Sequence, residues 1–113
     1  MEIFFVKNSE VKGEISQIRV DSLMYIKSKM NTTVLYLNDG STLKTPINIG
    51  KLEKMLHGNG FIRIHHSYVV NLTYIKKLNL SKAQVTMLND LELPISIRKK
   101  PLVVKELKMD FAV

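Results

Sequence analysis

Short runs of β-branched and aromatic residues alternate with polar stretches through the first 45 residues of the chain. Runs of this length and composition are typical of strands. The predicted strands are residues 3–7, 14–20, 23–27, 33–37 and 41–45. Between the last two lies Asn38-Asp39-Gly40, whose Asp-Gly step supplies the positive-φ positions of a tight turn and so predicts a hairpin.

The pattern changes after Asn48, where apolar residues recur at the spacing of one helical face: Ile49, Leu52, Met55 and Leu56. Asn48 suits the N-cap, and the Gly-Asn-Gly sequence at 58–60 ends the helix. Strand composition returns at residues 61–64, 74–80, 84–88 and 92–95. Helical spacing behind Pro101, a residue favoured in a first helical turn, predicts a C-terminal helix.

Length and composition fit one mainly β domain over residues 1–113, because 45% hydrophobic and 24% charged residues are ordinary globular values. The chain has no cysteine, which excludes disulfides and thiolate zinc sites. It also lacks a signal-peptide run and a span of transmembrane length. We therefore expect a cytoplasmic protein that holds no metal and no cofactor.

The net charge of +7 is unevenly distributed. Residues 1–56 carry eight basic and six acidic groups, whereas residues 57–113 carry nine and four. Such an excess attracts polyanions such as nucleic acid, although it is equally compatible with basic residues that only solubilise a surface.

Residues 61–75 set polar groups among apolar positions: Arg63, His65, His66, Ser67 and Asn71. Adjacent histidines in an extended strand point to opposite sides, so we do not expect the pair to close on one metal ion. Taken alone, the segment fits half-buried donors and turn-capping residues as well as it fits a binding site.

The string Phe-Ile-Arg-Ile-His-His-Ser-Tyr-Val-Val-Asn-Leu-Thr-Tyr-Ile at 61–75 resembles the central signature of the LytTR family of bacterial DNA-binding domains. The similarity continues through residues 20–26, with Asn31 behind them, and through residues 93–100, and it spans about residues 3–109. It implies antiparallel strands in small stacked sheets, with one short internal helix and a C-terminal helix. It also implies that loops enter successive major grooves of duplex DNA.

By position, the resemblance assigns base contacts to Asn31, His66 and Arg98, of which Arg98 can pair with the O6 and N7 atoms of guanine. The residues assigned to phosphate contacts are Lys29, Thr32, Arg63, Ser96, Lys99 and Lys100. Arg63 has a rival role as a structural ion-pair partner, and Asn71 is expected to be a structural hydrogen-bonding residue.

The sequence therefore predicts a transcriptional regulator that binds double-stranded promoter DNA, with a dimer on repeated half-sites as one arrangement. The alternative is a basic β-rich module that binds RNA or a protein. No nucleophile elbow or phosphate-binding glycine loop occurs, so we do not expect an enzyme. LytTR domains often follow a receiver domain, for which this chain has no room. Pro101 also departs from the family pattern and predicts that the last helix starts late, leaving Arg98 in an irregular segment.

Overall fold

Strands dominate the computed structural model, which describes residues 1–110. The strands are β1 (Ile3–Lys7), β2 (Ile15–Arg19), β3 (Leu23–Lys29), β4 (Thr32–Leu37), β5 (Thr42–Thr45), β6 (Phe61–His65), β7 (Tyr68–Asn71), β8 (Ile75–Asn79), β9 (Gln84–Met87) and β10 (Glu92–Pro94). Helix α1 (Ile49–Met55) separates β5 from β6, and helix α2 (Lys100–Asp110) follows β10. The predicted mainly β architecture with two helices is confirmed.

The strands form three antiparallel sheets. Strands β1 and β2 pair as a ribbon, β5-β4-β3-β7-β6 form the central sheet, and β10-β9-β8 form the third. Because β3 pairs with both β4 and β7, it lies in the middle of the central sheet. Each sheet is thus small, as the resemblance to the LytTR family implies.

Both faces of the central sheet are covered. On one face lies a core shared with β1, β2 and α1, with members that include Phe4, Ile18, Ile26, Leu35, Leu52 and Val69. On the other face lies a core shared with the third sheet and α2, with members that include Tyr25, Ile64, Val70, Val85, Met87 and Val103. The central sheet is therefore the middle layer of the domain.

Strand β7 was not predicted as a strand. Val69 faces one core and Val70 faces the other, and both are fully buried. Two-sided burial removes the alternation of apolar and polar residues that identifies a half-buried strand. The four residues of β7, which follow the polar turn at 66–67, therefore lack the usual strand pattern.

The predicted turn and cap are present, with one difference. Gly40 has a φ of 88°, but Asp39 keeps a negative φ and accepts with its carboxylate from the backbone N–H of Ser41 at 2.9 Å. Asn48 accepts from the N–H of Lys51 at 2.8 Å, as an N-cap does. Neither helix of the described chain combines the length and apolar composition that crossing a membrane requires.

Asn71 joins two parts of the central sheet, in agreement with its predicted structural role. Its side chain is buried, donates to the carbonyl oxygen of Leu23 at 3.0 Å and accepts from the N–H of Thr73 at 3.1 Å. Removing the amide would leave a buried carbonyl without its donor, which is costly because water cannot replace it.

We expect Asn71→Ala to lower the free energy of unfolding by about 1–3 kcal/mol, measured by urea denaturation. Asn31→Ala is the matched control, because Asn31 is exposed, and we expect it to change stability by less than about 0.5 kcal/mol. Equal losses in the two variants would contradict the structural role of Asn71.

Candidate nucleic-acid interface

The β3–β4 turn and the β6–β7 turn lie side by side at one end of the central sheet. Strands β3 and β7 are antiparallel neighbours with Lys27 opposite Tyr68, so the end of β3 meets the start of β7. The N–H of Ser28 donates to the carbonyl oxygen of Ser67 at 2.9 Å and ties the two turns together. Asn31 and His66, at the tips of these turns, therefore point out from the same end, and both are exposed.

A third turn, which carries Arg98, lies at the same end of the central sheet, next to its edge strand β6. The N–H of Ser96 donates to the carbonyl oxygen of Ile64 at 2.9 Å, which fixes the chain beside the end of β6. The carbonyl oxygen of Ser96 then accepts from the N–H groups of Lys99 at 3.1 Å and Lys100 at 3.0 Å. Arg98 thus lies in a tight, exposed turn just before α2, which begins at Lys100, one residue before Pro101.

Two hollows are lined by residues of these turns. One has a volume of about 450 Å³ and is lined by Arg63, His66, Ser96, Arg98 and Lys99. The other is lined by Ser28, Met30, Asn31, Thr32, Thr33 and Asn48. All three predicted base-contact residues therefore border one continuous end of the central sheet, which we call the turn face: residues 29–32, 66–67 and 96–100.

The charge of the turn face is largely uncompensated within the described side chains. Among all the described residues, salt bridges join Arg19 to Asp21, Lys44 to Glu10, Arg63 to Glu53 and Lys76 to Asp90. None of them involves the cations of the turn face, which are Lys29, Arg98, Lys99 and Lys100. The turn face is consequently electropositive.

Comparison with known proteins gives a family for this arrangement. The family model of the LytTr DNA-binding domain matches residues 13–108. The chain belongs to the LytTR family. This family is one of DNA-binding domains and not of enzymes. The match agrees with the resemblance read from the signature at 61–75.

A solved structure shows the same fold. It is the LytTr DNA-binding domain of a protein described as a methyl-accepting/DNA response regulator from Bacillus cereus. The two chains share 21% sequence identity with a TM-score of 0.79, over 95% of this chain and 97% of that one. No curated protein matches the chain at a significant level.

Arg63 holds the His66 turn of this LytTR domain in place. Its guanidinium donates to the carboxylate of Glu53 in α1 at 2.9 Å and to the carbonyl oxygens of His65, at 3.1 Å, and His66. Only 18% of the Arg63 side chain is exposed. These contacts engage three of the five N–H donors of the guanidinium, so the rival structural role of Arg63 has clear geometric support.

Two other residues assigned to phosphates also make internal hydrogen bonds. The hydroxyl of Thr32 donates to the carbonyl oxygen of Lys29 at 3.1 Å, and the hydroxyl of Ser96 accepts from the N–H of Lys99 at 3.2 Å. Each hydroxyl therefore shapes the turn that carries its neighbours. The cations Lys29 and Arg98 are exposed, whereas Lys99 and Lys100 are half-buried.

The two adjacent histidines lie together, and the expectation that they point to opposite sides is wrong. Their ring centroids are 4.3 Å apart with the planes tilted by 31°. His65 ends β6, but His66 already belongs to the turn, where strand alternation no longer holds. Even so, among the side chains that the structure describes, no three His, Cys, Asp or Glu residues are grouped to hold a metal ion.

His65 stabilises the turn in its neutral form. Its Nδ1 atom accepts from the backbone N–H of Ser67 at 3.1 Å, so this nitrogen carries no proton. Burial lowers the pKa of His65 below the ordinary value of 6.5, and the charges of His66 and Arg63 lower it further. Protonation would remove the acceptor and add a cation beside Arg63.

Sequence reasoning missed several residues that lie on the turn face or support it. Glu53 is ten positions from Arg63 and gives no local signal of their contact. Met30 and Ile97 were not singled out, yet their side chains are 96% and 86% exposed. The available signal was an apolar residue in the middle of a polar turn, directly before a predicted base-contact residue in each case.

Acidification should loosen the domain through His65. Because its pKa is lower in the folded chain than in the unfolded one, its contribution to stability is complete above the unfolded pKa, about 6.5. That contribution is lost as the pH falls toward the lower folded pKa. We expect the melting temperature to drop between pH 7.5 and 5.5.

The matched variant is His65→Asn, because the asparagine oxygen can accept from Ser67 in the same place but does not titrate. We expect its melting temperature to fall less over this pH range than that of the wild type. An identical fall in both proteins would exclude His65 as the source.

Proposed function

We propose that this LytTR domain binds double-stranded promoter DNA in a sequence-specific manner and thereby regulates transcription, and that residues 1–113 act as one binding unit. The observation that supports this proposal most directly is the meeting of three separate turns on one exposed, electropositive end of the central sheet. Turns of this kind are narrow enough to reach base edges in the major groove, which is about 12 Å wide.

The cations of the turn face are suited to phosphate contacts. Lys29, Lys99 and Lys100 carry charge that no described carboxylate neutralises, and a duplex presents phosphates along both walls of the groove. The N-terminus of α2 adds partial positive charge at the same place. In this arrangement Thr32, Arg63 and Ser96 keep the turns in position. Arg63 and Ser96 have donors left over for a phosphate, whereas the one hydroxyl donor of Thr32 is already used by Lys29.

Base reading falls to the three exposed side chains at the tips. Arg98 can donate two parallel hydrogen bonds to the O6 and N7 atoms of guanine, a pairing that the compact charge of lysine does not reproduce. His66 and Asn31 both combine donor and acceptor atoms, which suits them to edges of either polarity. Because they lie on three different turns, each side chain can read a different base pair.

Recognition of RNA, the alternative partner, is less well supported by the aromatic residues. RNA-binding sheets stack bases on exposed aromatic rings. Here Tyr25 and Tyr36 stack on each other with centroids 4.3 Å apart, and Tyr25 is only 5% exposed. Tyr25 lies in the interior and Tyr36 is half-buried, so this pair offers no open platform for bases.

The central experiment measures binding to a duplex selected from a random DNA pool, and to a scrambled duplex. We expect Arg98→Ala to weaken binding to the selected duplex by about 1–3 kcal/mol and to relax sequence preference, because a bidentate base contact is lost. Fluorescence anisotropy on the two duplexes measures both effects.

Lys99→Ala is the control for this measurement, since it removes a neighbouring cation with no assigned base contact. We expect it to weaken binding to both duplexes by similar factors. A loss in Arg98→Ala that is equal on the two duplexes would remove Arg98 from base reading. A selection that recovers no preferred sequence would oppose the proposed function itself. A second shifted complex on repeated half-sites would indicate that two copies bind together.

Binding should also weaken steeply with salt. Three to four phosphate contacts predict that raising the salt concentration from 50 to 200 mM lowers affinity by roughly 40-fold to 150-fold, because condensed counterions are released on binding. Titrations at several salt concentrations give the slope, which Lys99→Ala should reduce by about 1. A flat response, or stronger competition by RNA than by unlabelled duplex, would contradict binding through duplex phosphates.

A further inference from the structure

Two apolar side chains project from the turn face without any packing role. Met30 is 96% exposed and Ile97 is 86% exposed, whereas the other exposed large hydrophobic residues of the described chain reach at most 66%. A single exposed apolar residue carries little information. These two, however, directly precede Asn31 and Arg98 in the turns that the proposed function assigns to base reading.

The backbone gives no reason for a methionine at position 30. Met30 has a φ of 56° in the two-residue turn between β3 and β4, in the left-handed region that favours glycine or asparagine. The thioether side chain supplies none of the local hydrogen bonds by which asparagine offsets this conformation. Folding therefore neither requires Met30 nor benefits from it.

Ile97 is equally unexplained by folding. It lies in the turn between Ser96, whose oxygens accept from the N–H groups of Lys99 and Lys100, and the exposed Arg98. A β-branched residue has restricted rotamers and no polar atom with which to support a turn. Its side chain extends into solvent beside two cations, Arg98 and Lys99, where a polar residue would cost less.

In the major groove, one apolar group lies on the base edges: the C5 methyl of thymine. The other groups that distinguish the base pairs there are mainly hydrogen-bond donors and acceptors, which an apolar side chain would desolvate without compensation. A side chain such as that of Met30 or Ile97, carried into the groove by its turn, would thus favour thymine and disfavour the other bases.

We infer that Met30 and Ile97 are specificity-determining residues that read thymine methyl groups next to the bases contacted by Asn31 and Arg98. This inference rests on the proposed function and deepens it. The turn face would then recognise two kinds of group on the bases. Its polar side chains contact hydrogen-bond donors and acceptors, and its apolar side chains contact methyl groups.

The test uses the selected duplex made in two forms, one with thymine and one with deoxyuridine in its place. Deoxyuridine pairs identically but lacks the methyl group. Burial of one methyl is worth about 4-fold in affinity, so we expect the wild type to bind the deoxyuridine duplex about 4-fold to 15-fold more weakly. Duplexes with one thymine replaced at a time then map the contacts.

Met30→Gly tests the side chain with the least effect on folding. Because glycine suits a φ of 56°, the melting temperature of this variant should not fall below that of the wild type. We expect Met30→Gly and Ile97→Ala each to lose affinity for the thymine duplex and to become insensitive to their own thymine. Leu88→Ala is the control, since Leu88 is 54% exposed in the turn between β9 and β10, away from the turn face. It should keep the wild-type ratio.

The outcomes distinguish a failure of methyl-group reading from a failure of the proposed sequence-specific DNA binding. A wild type that binds both duplexes equally, while Arg98→Ala still loses its preference, would overturn the reading of methyl groups and leave the proposed function intact. So would a loss of affinity in Met30→Gly that is the same on both duplexes. A wild type with no preference for the selected duplex would instead count against the proposed function.

Discussion

The antiparallel pairing of β7 with both β3 and β6 determines which loops of this LytTR domain share an end. Because β7 runs against β3, the turn after β3 meets the turn before β7, and the bond from Ser28 to Ser67 holds them together. A slip of one residue would turn Val69 and Val70 toward each other's core and would separate the buried Asn71 from the carbonyl oxygen of Leu23, which disfavours that register. The placement of the turn face is thus a consequence of packing.

Packing and binding are also linked by individual contacts. Glu53 in α1 holds Arg63, Arg63 holds the carbonyl groups of the His66 turn, and His65 accepts from Ser67 within the same turn. Side chains held in this way lose less conformational freedom when they meet DNA, which lowers the entropic cost of binding. The internal contacts of the His66 turn therefore fix the backbone that carries its exposed side chains.

Much of the fold could be predicted from local patterns, because most strands are half-buried and their turns contain residues such as Asn38 and Gly40. Strand β7 could not, since burial on both faces removes its alternation. The segments around Asn31, His66 and Arg98 could be selected by resemblance, but their meeting at one end depends on strand order, which no local pattern encodes. The close approach of the His65 and His66 rings was missed because strand geometry was extended one residue past the end of β6.

Charge alone would make this domain a non-specific polyanion binder, because lysines meet the phosphates of any sequence with similar affinity. Specificity requires groups whose favourable partner is one base edge and whose unfavourable partners are the others. In the proposed interface, Arg98 would meet that condition through paired donors, and an apolar residue such as Met30 would meet it through the cost of desolvating polar edges. Because the turns are narrow and separately anchored, a substitution at one tip can change the preferred base without disturbing the sheet that supports all three.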